Sequence, residues 1–192
     1  MRVLIVNPPA VDGVGFVREG RCEQRTASFQ YLMVPISLPS TAAVLREAGH
    51  DVGLIDCIAD EIDVTELGER IRAFEPDLVL FSFSTVTFDS DAQVTRELRR
   101  LTPAHFTAIG VHVTTLAEES LASSALDSIV RREPEYTARA LADALDAGTP
   151  LGEVLGLSWR DGEAIVRNED RPFIEDLDAL PFPAWDLLDM AR

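Results

Sequence analysis

The apolar positions of this chain fall into short, uninterrupted runs separated by stretches of helical period. Between Pro76 and Phe88 (P-D-L-V-L-F-S-F-S-T-V-T-F), Leu78, Val79, Leu80 and Phe81 follow one another without polar alternation. That is the pattern of a strand covered on both faces, as in a parallel sheet between helices. Val3 to Val6 is a similar run, stopped by Asn7-Pro8-Pro9, because proline cannot donate to a ladder and extends the residue before it. Val52 to Cys57, His105 to Gly110 and Ser128 to Val130 read as three further strands.

Helical spacing fills the intervals. Pro39 to Ala48 predicts a helix with Pro39 in its first turn and Gly49 as its stop. Val64 to Phe74 places Leu67, Ile71 and Phe74 on one face and ends before Pro76. Asp89 or Ser90 is positioned to cap a helix reaching about Leu101, and Pro103 closes it. Thr114 or Thr115 is positioned to cap a short helix with Glu118 in its first turns, and Pro134 to Ala147 gives the last helix. This alternation predicts an α/β fold, a flavodoxin-like (Rossmann-like) doubly wound parallel sheet of five strands in the order 2-1-3-4-5.

After Gly148 the pattern changes. Val154 to Arg160 and Glu163 to Asn168 read as a β-hairpin turned at Asp161-Gly162. The stretch R-P-F-I-E-D-L-D-A-L-P-F-P-A-W-D-L-L-D reads as a Pro-rich strap or linker. The organisation expected is an α/β domain over 1–148, a hairpin extension over 149–170 and a linker over 171–192.

Composition mainly excludes. With 17 Lys and Arg against 33 Asp and Glu, the formal charge of −16 argues against nucleic acid and anionic membranes as partners. Of the 192 residues 46% are hydrophobic, enough for one cored domain with an appendage, and no run is long enough to span a membrane. Cys22 and Cys57 are far apart and belong to no C-x-x-C or Cys/His cluster, so neither a metal centre nor a disulfide framework is indicated, and the cytoplasm is the expected compartment.

Candidate chemistry gathers where the strands end. Open parallel sheets bind ligands beyond the carboxyl ends of their strands. There the third strand changes abruptly to Ser82, Ser84, Thr85 and Thr87, small hydroxyl residues that let a ligand approach the backbone. The long segment from Ala10 to Pro35 leaves the first strand at the same end. Within it Gly13-Val14-Gly15-Phe16-Val17-Arg18 starts like a dinucleotide fingerprint, but Arg18 stands in the third glycine's place and no helix follows. Asn7 and Ser82 occupy places where a phosphate-receiving domain needs acids. Of the three histidines, His112 lies just past Gly110 at the end of the fourth strand, His105 starts that strand, and His50 reads as a solvated turn residue. No catalytic triad or carboxylate pair emerges, so the residues themselves point to a ligand-binding α/β domain and do not name the ligand.

An ordered set of segments supplies a name. V-L-I-V-N-P-P, P-I-S-L-P-S-T-A-A-V-L-R-E-A-G-H-D-V, F-E-P-D-L-V-L-F-S-F-S-T, I-G-V-H-V-T-T-L-A-E-E-S-L, S-I-V-R-R-E-P-E-Y-T, W-R-D-G-E-A-I-V-R-N and D-L-D-A-L-P-F-P-A-W-D-L-L span nearly the whole chain. Together they resemble the N-terminal cobalamin (vitamin B12)-binding domain of cobalamin-dependent radical S-adenosylmethionine enzymes, a family of methyltransferases with the anaerobic magnesium-protoporphyrin ester cyclases as relatives. The resemblance implies cobalamin across the carboxyl ends of the strands, its tail beside Ser82, Ser84 and Thr85 and near Gly110. It further implies Asn7, Pro8, His112, Val113, Arg131 and Glu133 at the border of the corrin or tail.

The chain also departs from the family. The D-x-H-x-x-G motif that supplies an axial histidine in other cobalamin domains is absent after the first strand. Ile109 replaces the first glycine of a Gly-Gly pair, and Arg132 the glycine of R-G-E. The radical domain's C-x-x-x-C-x-x-C motif is not in this sequence. The resemblance therefore implies a cobalamin module whose iron–sulfur cluster (4Fe-4S) and S-adenosylmethionine belong to a radical domain, C-terminal in the same polypeptide or supplied in trans. The rival expectation is a non-catalytic cobalamin carrier, sensor or interaction module.

Overall fold

The computed structural model describes residues 1–10, 12–19 and 33–189. Strand β1 (Arg2–Asn7) is followed by α1 (Ser37–Glu47), β2 (Asp51–Asp56), α2 (Val64–Phe74), β3 (Leu78–Ser82) and α3 (Phe88–Leu98). Then come β4 (His105–Ile109), α4 (Val111–Thr115), α5 (Ala117–Ser123), β5 (Ser128–Val130) and α6 (Glu135–Ala147). Strands β6 (Leu157–Asp161) and β7 (Ala164–Arg167) complete one seven-stranded sheet in the order β2-β1-β3-β4-β5-β6-β7. The first five strands are parallel in the expected order, and the hairpin adds antiparallel to β5, with Val130 opposite Leu157. The hairpin therefore extends the sheet.

Strand residues alternate between two cores. Val3, Ile5, Leu78, Leu80, Ile109 and Val130 pack with Leu38, Ala42 and Leu45 of α1 and Leu141 of α6. Leu4, Val6, Val79, Phe81, Phe106 and Ile129 pack on the opposite face with Leu67 and Ile71 of α2, Leu98 of α3 and Leu121 of α5. Burying each such side chain contributes about 1.5–3 kcal/mol, and burial on both faces is why β3 shows no polar alternation. The Phe81 and Phe106 rings meet edge to face at 5.2 Å.

Local signals place some boundaries and miss others. Asp63 caps α2 through the Glu66 N–H, and Glu75 ends it in the left-handed region ahead of Pro76. Helix α3 begins at Phe88 with neither Asp89 nor Ser90 as its cap. Its first turn instead holds Asp91, whose carboxylate takes the Thr87 hydroxyl. The region after β4 forms two short helices, and Thr114 and Thr115 cap neither. Thr115 Oγ1 donates to the Val111 carbonyl and Thr114 Oγ1 accepts the Arg132 N–H. His50 is buried, its Nε2 3.1 Å from Asp143 Oδ1 and its Nδ1 3.4 Å from the terminal amine. The hairpin closes over Gly162-Glu163, since Asp161 pairs with Ala164. Gly162 takes the first loop position at φ 62°, as a II′ turn requires.

Beyond the hairpin the strap crosses back to the other edge of the sheet. The Ala184 N–H donates to the Pro39 carbonyl at 3.0 Å, and Asp186 accepts both its bonds from Arg46 Nη1. No helix among the described residues is long and apolar enough to cross a membrane.

Candidate functional site

The topology reverses between β1 and β3, because α1 and α2 leave on opposite faces of the sheet. A crevice at such a reversal is where open α/β sheets hold ligands. Here it is floored by a chain of buried polar side chains. Asn7 Nδ2 donates to Asp56 Oδ1 at 2.8 Å, and Arg18 Nη1 reaches Asn7 Oδ1 at 3.4 Å. Arg18 forks onto Asp91, Nη2 to Oδ1 at 2.7 Å and Nε to Oδ2 at 3.2 Å. The Thr87 hydroxyl donates to Asp91 Oδ2 at 2.5 Å and accepts the Ser84 hydroxyl at 2.8 Å.

Burial pushes the carboxyls of Asp56 and Asp91 above the ordinary range. Asn7 with the amides of Ile58 and Ala59 holds against it at Asp56, as Arg18, Thr87 and the Ser84 N–H do at Asp91. Asp91 is bonded at both oxygens and Asp56 accepts three bonds at Oδ1, which suits a rigid floor better than a proton-transfer group. Burial likewise drives the Cys57 thiol far upward, which leaves it inert. Among the described residues no group of histidine, cysteine and carboxylate side chains could hold a metal ion.

The third and fourth strands meet backbone to backbone as they leave the sheet. The Phe83 N–H donates to the Ile109 carbonyl at 2.9 Å, and Gly110 adopts φ 128°. A β-carbon on Gly110 would stand 2.0 Å from the Phe83 oxygen, so no side chain fits.

Around this floor the residues expected at the site have different places. Asn7, Pro8, Ser82 and Ser84 are buried in or beside it, and Thr85 is exposed at its rim. His112 is half-buried with its ring stacked on Phe88 at 4.3 Å, and Val113 points into the core. Arg131 is buried and clamps the hairpin: Nη1 donates to Ser158 Oγ, Nη2 to the Asn168 carbonyl, and Nε with Nη2 to Asp170. Glu133 Oε2 accepts the Ile174 N–H at 2.6 Å and so ties down the strap. The structure thus brings Asn7, Pro8, Ser82, Ser84, Thr85, Gly110 and His112 to one end of the sheet, and gives Val113, Arg131 and Glu133 internal partners.

Two of the site's features are additional to the expected residues. Arg18 and Asp91 anchor the floor; the one signal for Arg18 was that it interrupted a glycine pattern. Ile36, Val86 and Val111 stand 63%, 53% and 69% exposed at the entrance to α1 and the exits of β3 and β4. Such apolar residues at neighbouring strand ends suit a broad, largely apolar ligand. On the α2–α3 flank lies an open cavity of about 850 Å³, lined by Asp12, Cys57, Ile58, Asp63, Ser90 and Gln93 among others.

Comparison with known proteins gives the site its context. The model of the family described as "B12 binding domain" matches residues 25–142. An uncharacterized methyltransferase of Pyrococcus horikoshii is 32% identical over 160 residues, covering 82% of this chain and 35% of that protein. The anaerobic magnesium-protoporphyrin IX monomethyl ester cyclase of a Synechocystis species is 31% identical over 196 residues, covering 100% of this chain and 37% of that one. The chain thus spans little more than a third of either relative. Among solved structures, the cobalamin-dependent S-adenosylmethionine radical enzyme OxsB with aqua-cobalamin bound superposes with a TM-score of 0.77 at 19% identity, covering 97% of this chain and 24% of OxsB. The radical S-adenosylmethionine methyltransferase TsrM of Kitasatospora setae, with cobalamin and a 4Fe-4S cluster bound, gives 0.72 at 20% identity over 95% of this chain and 31% of TsrM. At such identities the likeness is one of fold.

Proposed function

This chain belongs to the B12 binding domain family, and from that premise we propose that it is the cobalamin-binding module of a cobalamin-dependent radical S-adenosylmethionine enzyme. The observation that carries the proposal is the coincidence of the family match with a strand-end surface of the right character. Exposed Ile36, Val86 and Val111 lie at the same end of the sheet as the small or hydroxyl residues Ser82, Ser84, Thr85 and Gly110 and the rigid polar floor. These residues fit the group. The apolar side chains would support the corrin, and Asn7, Pro8 and His112 would border it.

When bound, cobalamin supplies a cobalt centre able to carry a methyl group. The protein's own part is to seat it and to exclude water beneath it. None of its residues is assigned as a catalytic acid, base or nucleophile. Methyl transfer by the assembled enzyme is supported by the methyltransferase of Pyrococcus horikoshii. A radical domain bearing the 4Fe-4S cluster and S-adenosylmethionine, in the same polypeptide or in trans, is supported by the greater length of the relatives. Residues 171–192 would lead toward it, from a cytoplasmic protein with 1–148 as the binding domain and 149–170 as its extension.

The test is anaerobic titration with hydroxocobalamin, followed by gel filtration and a visible absorption spectrum. Corrin is expected to co-elute with the protein, and Val111→Glu to weaken binding at least about tenfold without loss of fold, because this side chain is exposed and charge there opposes an apolar ligand. A folded sample that retains no corrin would overturn the assignment.

A further inference from the structure

We propose that the Arg18–Asp91 pair is the keystone of the site: it fixes the segment after β1 across the crevice between the ends of β1 and β3, so that a ligand seats above it and does not displace it. The inference deepens the cobalamin-binding reading and rests on it for the identity of the ligand.

Consecutive residues reach in opposite directions. Arg18 turns inward to Asp91, in the first turn of α3, which packs on one face of the sheet. Glu19 turns outward to α1, on the other face, where its carboxylate accepts the Ile36 N–H at 2.7 Å and the Ser37 hydroxyl at 2.5 Å. Helix α1 has no cap from its own N-cap residue, Ile36, so Glu19 supplies one from a distance. The segment is thereby tied from one helix layer to the other over the ends of the strands.

The inner tie is built to stay. Both side chains of the pair are 1% exposed. Arg18 also donates to the carbonyls of Pro8 and Pro9, at 2.8 and 2.9 Å, so its Nε and both terminal nitrogens are used. Those carbonyls lie past Asn7, the last residue of β1, and so are outside the sheet's ladder. Displacing Arg18 would strand Asp91 as a buried charge and orphan two carbonyls at once. A ligand that arrives at the crevice therefore finds a preformed floor, with Ser84, Thr87 and Asn7 already held by the same network. Lysine could keep the charge but could not form the fork.

The experiment compares the parent chain, Arg18→Lys and the double variant Arg18→Leu/Asp91→Leu by hydroxocobalamin titration, thermal melting and amide exchange over residues 12–19. Replacing both charges with apolar groups leaves no stranded ion, although the Pro8 and Pro9 carbonyls lose their donor, so the double variant is expected to fold cooperatively and to melt about 5–10 °C below the parent. It is nevertheless expected to bind hydroxocobalamin at least about tenfold more weakly and to lose protection over 12–19, because the segment must then be ordered by the ligand. Arg18→Lys is expected to show the same two losses, and it decides the matter if the double variant does not fold. A stable variant that binds as tightly as the parent would overturn the keystone. If the parent itself binds no hydroxocobalamin, the cobalamin reading fails separately, and exchange decides alone: lost protection sustains the tie, unchanged protection removes it.

Discussion

Gly110 faces the carbonyl oxygen of Phe83 so closely that an added β-carbon would stand 2.0 Å from it. With φ at 128°, the position is closed to side chains by backbone conformation as well as by space. Gly110→Ala is expected to cost roughly 2–4 kcal/mol by forcing the exits of β3 and β4 apart. Urea denaturation measures this, with Gly152→Ala, which meets nothing within 4 Å, as the control expected to stay within about 0.5 kcal/mol. An equal effect at both positions would contradict the account.

Phe88 carries His112 on its face, with ring centroids 4.3 Å apart and planes at 28°, and Phe83 meets Phe88 edge-on at 6.0 Å. A double-mutant cycle over Phe88→Ala and His112→Ala is expected to give a coupling of about 0.5–1.5 kcal/mol. A coupling near zero would mean that the stack does not hold the imidazole at the rim.

His105 makes stability depend on mild acid. Its Nε2 lies 2.8 Å from Ser128 Oγ, and that hydroxyl donates to Thr107 Oγ1, so Nε2 is the donor. Burial, with Arg99 adding to it, outweighs Asp127 and holds the ring's pKa below its ordinary value of 6.5. The unfolded chain therefore takes up the proton first as pH falls. Stability is expected to decline as pH drops through 6.5 toward the lowered folded value. His105→Gln should flatten that part of the curve in denaturation from pH 7 to 5, and an unchanged slope would exclude His105 as the cause.

Asp170 responds in stronger acid. Arg131, paired with it at 2.6 Å, together with Arg132 and Arg167, holds its carboxyl below the ordinary 3.8. Its contribution is present above 3.8 and is lost as pH falls through the lowered value. Protection of the Gly156 N–H, which donates to the Glu169 carbonyl, is expected to fall, relative to the intrinsic exchange rate, only in that range and to be lowered at neutral pH in Asp170→Asn. Equal exchange in parent and variant would show that the carboxylate does not anchor the hairpin's exit.

The fold was legible because its signals are local and repeated. Apolar runs such as Leu78–Phe81 need cover on both faces, and prolines and glycines at their ends leave few ways to connect them. The hairpin's attachment to β5 was not legible, because edge pairing depends on two distant segments meeting in register. At the site, hydroxyl residues after β3 and Gly110 after β4 carried their own signal, as small residues at strand ends. Arg18 and Asp91 did not: a charge in a loop and a charge in a helical first turn both read as solvated until the fold brings them together. His50 misled for the same reason, since Asp143, 93 positions away, is what buries it comfortably.

The bond between Arg46 and Asp186 joins positions 140 apart, and this sets an order on how the chain can mature during synthesis. A ribosome adding about 5–20 residues per second leaves on the order of ten seconds between making the two partners. For that interval β1, β2 and α1 have emerged while β2, at the edge of the sheet, lacks the turn at Trp185–Leu187 that later contacts it. An uncovered strand edge invites pairing with other chains. The nascent protein is therefore open to misassembly along β2 until the later-made turn at Trp185–Leu187 reaches it.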